Sequence, residues 1–166
     1  MTKNNKLFAR NIFNSAVKDL RKNRKLPLTV YIIDGDGKKH KFIPKMHDVM
    51  DKIIADVQIK HMCKELNATC VIWSADTFIG TSGSNVPPSL DPMRKEAIYT
   101  YYEDISKQHT LIQKYHRTRR NKIVLIGKVG MDEEVEGRRF TNLLQRPEKY
   151  FPLVVNINNQ SEEVLS

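Results

Sequence analysis

The sequence predicts an α+β fold: an antiparallel-rich or mixed β-sheet with two amphipathic helices packed on one face, in the order α-β-β-α-β-β-β-β. Three observations carry this reading. Apolar residues recur at helical spacing in two stretches before residue 67. A nearly continuous apolar run over 68–79, ATCVIWSADTFI, has the character of a strand buried on both faces, where alternation disappears. From Glu96 to Val129, three runs rich in Ile, Tyr, Thr and Val (EAIYTYYED, HTLIQKYHRT and NKIVLIGKV) are joined by short polar links. Links that short favour an antiparallel meander, because a parallel pair needs a crossover of about a dozen residues or more.

Taken in order, Leu7, Phe8, Ile12, Phe13, Ala16, Val17 and Leu20 define a first helix over about residues 5–22. Lys18, Arg21, Lys22, Arg24 and Lys25 crowd its exit, where cations suit the negative end of the helix dipole, and Pro27 forbids continuation. LTVYIID and KKHKFI form a strand pair turned by Asp34-Gly35-Asp36-Gly37, whose Asp-Gly steps supply positive φ. A calcium loop is excluded there, because Lys38 and Lys39 stand where an oxygen ligand and a glycine belong. A second helix follows Pro44 over about residues 45–66. Its expected core stripe is Met46, Val49, Met50, Ile53, Ile54, Val57, Met62 and Leu66, leaving Asp48, Asp51, Lys52, Asp56, Lys60 and Lys64 to water.

The segment GTSGSNVPPSLDP over 80–92 is the one long irregular stretch before the meander, and Asp91-Pro92 suits the start of a helical turn reaching Glu96. In the meander, turns centred on Ser106-Lys107 and Arg119-Arg120 place Ile98, Tyr102, Leu111, Tyr115, Val124 and Ile126 on one sheet face. Tyr99, Tyr101, Ile112, Ile123 and Leu125 then lie on the other. Beyond Gly130 the sequence suggests an acidic turn at 132–136, a short helix over 137–144 and an edge strand in YFPLVVNI, with Pro152 barring a central place. Residues 1–157 form the expected single domain and 158–166 a flexible tail.

The chain carries a formal charge of +9, and residues 1–60 hold 14 Lys and Arg against 6 Asp and Glu, so the first third supplies nearly all the excess. Such a field attracts nucleic acid or another polyanion. Cys63 and Cys70 read as reduced, buried side chains. No apolar run has the length of a membrane span and the first residues lack a secretory signal, which makes a cytoplasmic protein the expectation. The sequence contains no nucleotide-binding, zinc-hydrolase or serine-hydrolase motif, and neither a cofactor nor a metal is expected.

Three functional readings follow. The first is a noncatalytic binding or assembly module that self-associates into a homo-oligomer through the second meander face, at Tyr99, Tyr101, Ile112 and Leu125. The second is nucleic-acid binding by the hairpin carrying Lys114, Arg117, Arg119, Arg120 and Lys122, with tyrosine rings offered to unpaired bases. The third is a small enzyme using Asp76, Asp91 and Glu96 as acid and base.

Overall fold

Two helices enclose one six-stranded antiparallel sheet in the computed structural model, which describes residues 3–79, 85, 90, 94–131 and 140–144. The elements are α1 (Lys3–Asn23), β1 (Thr29–Ile33), β2 (Lys39–Phe42), α2 (Val49–Glu65), β3 (Cys70–Ile79), β4 (Lys95–Asp104), β5 (Gln108–Arg117) and β6 (Ile123–Met131), and the sheet order is β2-β1-β3-β4-β5-β6. The α+β class and the order of elements are those the sequence predicts. The continuous apolar run forms β3, beside β4 at the centre of the sheet, as its lack of alternation requires. Lys95 and Glu96 already belong to β4, so the helical turn expected to reach Glu96 does not form there. The acidic turn at 132–136, the proposed strand at 150–157 and the tail at 158–166 lie outside the described residues. Of the short helix expected over 137–144, residues 140–144 are non-helical and the rest are not described.

The helices sit on opposite faces of the sheet, which corrects the expectation that they share one. On the first face, Ala9, Ile12, Phe13, Ala16 and Leu20 of α1 pack over Ile33, Cys70, Ile72, Ile98, Tyr102, Tyr115 and Ile123. On the second, Ala55, Ile59 and Cys63 of α2 cover Val30, Ile32, Val71, Trp73, Tyr99, Tyr101 and Ile112, joined by Phe140, Leu143 and Leu144. The physical cause is legible in β4, where Ile98 and Tyr102 point one way and Tyr99 and Tyr101 the other. A sheet apolar on both faces needs a layer on each, and each fully buried aliphatic or aromatic side chain contributes roughly 1.5–3 kcal/mol.

The face of α2 turned to the core is also not the expected one. Its buried residues are Ala55, Ile59 and Cys63, spaced i, i+4, i+8. Val49, Met50, Ile53, Ile54 and Val57, expected in the core, are exposed. Asp48, rather than the stretch after Pro44, starts the helix, its carboxylate accepting from the Asp51 N–H at 2.8 Å. The partly buried Met46, Met62 and Leu66 pack around these three residues.

Turn chemistry sets the register. The β1–β2 hairpin closes as its Asp-Gly steps predict: Asp34 Oδ1 accepts from the Asp36 and Lys38 N–H groups at 2.9 Å each, and Gly37 sits at φ +82°. The β4–β5 turn centres on Ile105-Ser106, since Asp104 pairs across it with Lys107. That is two residues from the expected register, so the predicted faces of β4 and β5 stand. The β5–β6 turn contains Asn121 in the left-handed region at φ +59°. This extra residue slips β6 by one place, so Ile123 and Leu125 join Tyr115 on the first face while Val124 and Ile126 move to the second. Farther along, the register shifts between Ile112 and Lys114, opposite Gly127 at φ +68°. The buried Gln113 fills the irregularity, donating Nε2 to the carbonyls of Ile126 (3.1 Å), Lys114 (3.0 Å) and Gly127 (3.4 Å).

The β4–β5 turn also carries an acid-sensitive contact. Burial pushes the Asp104 carboxyl up, but hydrogen bonds from Tyr102 Oη and from the Ser106 hydroxyl, Ser106 N–H and Lys107 N–H, all 2.8 Å, outweigh it and hold the pKa at about 2. A depressed carboxyl contributes stability that is fully present above its unfolded value near 3.8 and lost as pH falls toward about 2. Urea midpoints between pH 5 and pH 2 should therefore fall less steeply in Asp104→Asn than in the wild type. Equal slopes would contradict this role.

Candidate functional site

Two of the three predicted carboxylates converge, on Arg117. Asp76 on β3, Glu96 on β4 and Arg117 on β5 share the first face near the exit of α1, with Tyr115 paired across from Glu96. Arg117 Nε donates to both Glu96 oxygens at 3.0 and 3.1 Å, Nη1 to the Arg24 carbonyl at 2.7 Å and Asn121 Oδ1 at 3.1 Å, and Nη2 to Tyr115 Oη at 3.4 Å. Nη2 also lies 4.0 Å from Asp76 Oδ2. A guanidinium has five N–H groups, and hydrogen bonds to Glu96, Arg24, Asn121 and Tyr115 take four of them.

The electrostatics match a clamp. Burial raises the Asp76 pKa, the Glu96 charge adds to that, and the Leu26 N–H and Arg117 oppose it. Burial likewise pushes Tyr115 up to about 12, helped by the two carboxylates, so its hydroxyl keeps its proton at neutral pH. Burial works against the Arg117 charge, but Glu96 outweighs it and the guanidinium is held more firmly protonated. The cluster joins the exit of α1, three strands and the β5–β6 turn. Asp91, the third predicted carboxylate, lies outside the described residues. Among the described residues no group of three His, Cys, Asp or Glu side chains could hold a metal ion, and no helix is long and apolar enough to cross a membrane.

The predicted basic hairpin divides. Arg119, Arg120 and Lys122 are exposed in the β5–β6 turn, whereas Arg117 is committed inward and the half-buried Lys114 lies on the second face opposite Ala97. The tyrosines expected to stack on bases are buried.

The expected self-association surface is corrected as well. Tyr99, Tyr101 and Ile112 lie beneath α2 and residues 140–144, and Leu125 is on the opposite face, packed with α1 residues. Trp73 organises that buried region, stacked on Tyr99 (5.0 Å, 24°) and Tyr101 (5.8 Å, 26°) and edge-on to Phe140 (5.7 Å, 84°). Its indole N–H donates to the Phe140 carbonyl at 2.9 Å, and the fully buried Glu103 accepts from the Leu143 N–H at 2.7 Å. These bonds fasten residues 140–144, whose Phe140 and Asn142 adopt φ of +54° and +53°. The expectation of both helices on one face leaves these rings without a helix over them; α2 supplies it.

A different apolar surface takes their place. Val49, Met50, Ile53, Ile54 and Val57 are 46–69 % exposed and form one continuous face of α2, opposite its buried Ala55, Ile59 and Cys63. The signal was present in the sequence as two stripes at helical spacing on one helix. Of the expected core stripe, Val49, Met50, Ile53, Ile54 and Val57 face outward, while Met46, Met62 and Leu66 pack partly buried against the core. Comparisons with protein families, with curated proteins and with solved structures find no match, so the reading of these surfaces rests on their own residues.

Proposed function

We propose that this chain is a noncatalytic assembly module that self-associates through the outward face of α2. The observation that carries this reading is that continuous face, Val49 to Val57, of five large aliphatic side chains left open to water. Apolar area of that kind is stabilised by leaving water, and a helix apolar on two sides needs a second layer beyond its own sheet.

The occupant is a second copy of the chain. The first half of α2 with its cap carries Asp48, Asp51 and Asp56 against Lys52, and the second half carries Lys60, His61 and Lys64 against Glu65. An antiparallel pair related by a two-fold axis brings each acidic half against the partner's basic half, with the aliphatic side chains between. The Asp56–Lys60 bond within one helix, 2.7 Å, already aligns the polar margin of the stripe. The Asp76–Glu96–Arg117 cluster favours the noncatalytic side of the proposal, because its cation is tied to structural partners, Glu96, the Arg24 carbonyl and Asn121.

Sedimentation velocity on the full chain tests the proposal. The wild type should sediment as a dimer at tens of micromolar, and Ile53→Lys, which alters only an exposed position, should raise Kd at least about thirtyfold, equivalent to roughly 2 kcal/mol. A wild type that stays monomeric at high concentration, or that binds lipid vesicles through this helix without dimerising, would remove the reading.

A further inference from the structure

Two cation-rich stretches far apart in the sequence meet at one end of the first face. Helix α1 stops at Arg24, whose φ of +64° and N–H bond to the Leu20 carbonyl (2.8 Å) turn the chain out of the helix. The Arg24 guanidinium folds back on the Arg21 carbonyl at 2.7 Å, leaving Lys18, Arg21, Lys22 and Lys25 exposed around the exit. Arg117 Nη1 reaches that exit at the Arg24 carbonyl, across a separation of 93 residues, and also holds Asn121 in the β5–β6 turn. The turn in turn exposes Arg119, Arg120 and Lys122.

The surroundings keep this positive field from being cancelled. Residues 20–33 and 105–131 contain no Asp or Glu. Asp76 and Glu96 face Arg117, and Asp19 is an exposed acid on the last turns of α1. The tyrosines of this end are covered, Tyr115 beneath α1 and Tyr99 and Tyr101 on the second face under α2, while the exposed Phe78, paired with Glu96, carries the Arg94 guanidinium over its ring at 4.4 Å. What the junction itself, the exit of α1 and the β5–β6 turn, offers a ligand is an array of exposed cations.

We infer that the exit of α1 and the β5–β6 turn together form one binding site for the phosphate backbone of nucleic acid, indifferent to base sequence. This goes beyond assembly, and the site is on the face of the sheet away from α2. Phosphate contacts of this kind release condensed counterions, so affinity falls with salt by a slope of about −0.9 per phosphate neutralised on a duplex and about −0.7 on a single strand. Contacts to the backbone alone position a protein without reading the bases.

The experiment is fluorescence anisotropy of the full chain with short labelled duplexes of two unrelated sequences, from 50 to 200 mM salt. Both should bind with the same affinity and a linear log–log salt dependence. Arg119→Glu/Arg120→Glu and Lys22→Glu/Lys25→Glu should each weaken binding about tenfold or more at 50 mM salt and flatten the slope by about two contacts. Lys38→Glu/Lys45→Glu changes the net charge equally near β2, at the opposite edge of the sheet, and should have a much smaller effect. All six positions are exposed, and circular dichroism checks that each variant is folded. The inference is overturned by no binding at 50 mM salt, by equal loss in the control, by loss in only one of the two clusters, or by binding to anionic vesicles without binding to duplex.

Discussion

Truncating Trp73 to alanine should lower the unfolding free energy by about 3–5 kcal/mol, the range for removing a large buried aromatic side chain and leaving part of its volume empty. Trp73 sits on the central strand β3, stacked between the two tyrosines that face it from β4 and closed over by Phe140. Its loss removes three ring contacts together with the indole N–H bond to the Phe140 carbonyl. Trp73→Phe separates the two effects: it keeps most of the apolar area but orphans that carbonyl, and should cost about 1–3 kcal/mol. Urea denaturation followed by far-ultraviolet dichroism measures both, independently of the lost indole fluorescence. A Trp73→Ala deficit below about 1 kcal/mol would mean that residues 140–144 do not close the second face.

Replacing Arg117 by methionine should be nearly as damaging, at about 2–4 kcal/mol. It leaves two half-buried carboxylates facing each other without their cation, and breaking such a pair from one side is far costlier than replacing both partners. The side chains of Arg117 and Glu96 are each 25 % exposed, which places the expected loss toward the lower part of that range. Two further measurements identify the cause. The deficit should shrink as pH falls, because Asp76, whose pKa burial raises, is protonated and no longer repels the Glu96 carboxylate. Adding Glu96→Gln to Arg117→Met should recover part of the loss in a double-mutant cycle. If the deficit is independent of pH and of Glu96, the guanidinium contributes through packing and through its bonds to Arg24 and Asn121 instead.

The strands were legible because their residues leave little alternative. Ile, Val, Tyr and Thr crowd β3 to β6, and Asp34-Gly35-Asp36-Gly37 can hardly do other than turn. Legibility failed where two answers were physically close. Helix α2 carries one stripe of bulky aliphatics and another of Ala55, Ile59 and Cys63; side-chain size points to the first as core, and the structure buries the second. Asn121 moved β6 to its opposite faces by taking a left-handed conformation that spacing alone does not specify. At the candidate site, Asp76, Glu96 and Arg117 were all singled out, but under different functions. That one guanidinium ties both carboxylates to Arg24 is a property of the folded chain, invisible at a separation of 93 residues.

The strand order β2-β1-β3-β4-β5-β6 has a consequence for how the chain reaches this state. Four of the five pairings join strands that follow one another in the sequence, and the pairing of β1 with β3 spans both β2 and α2. Closing a loop becomes dearer in entropy only slowly as it lengthens, but long-range closure must come before its contacts reward it. The meander can thus zip from its own hairpins during synthesis, while β1 and β2 wait for α2 and β3 to emerge before their edge of the sheet can form.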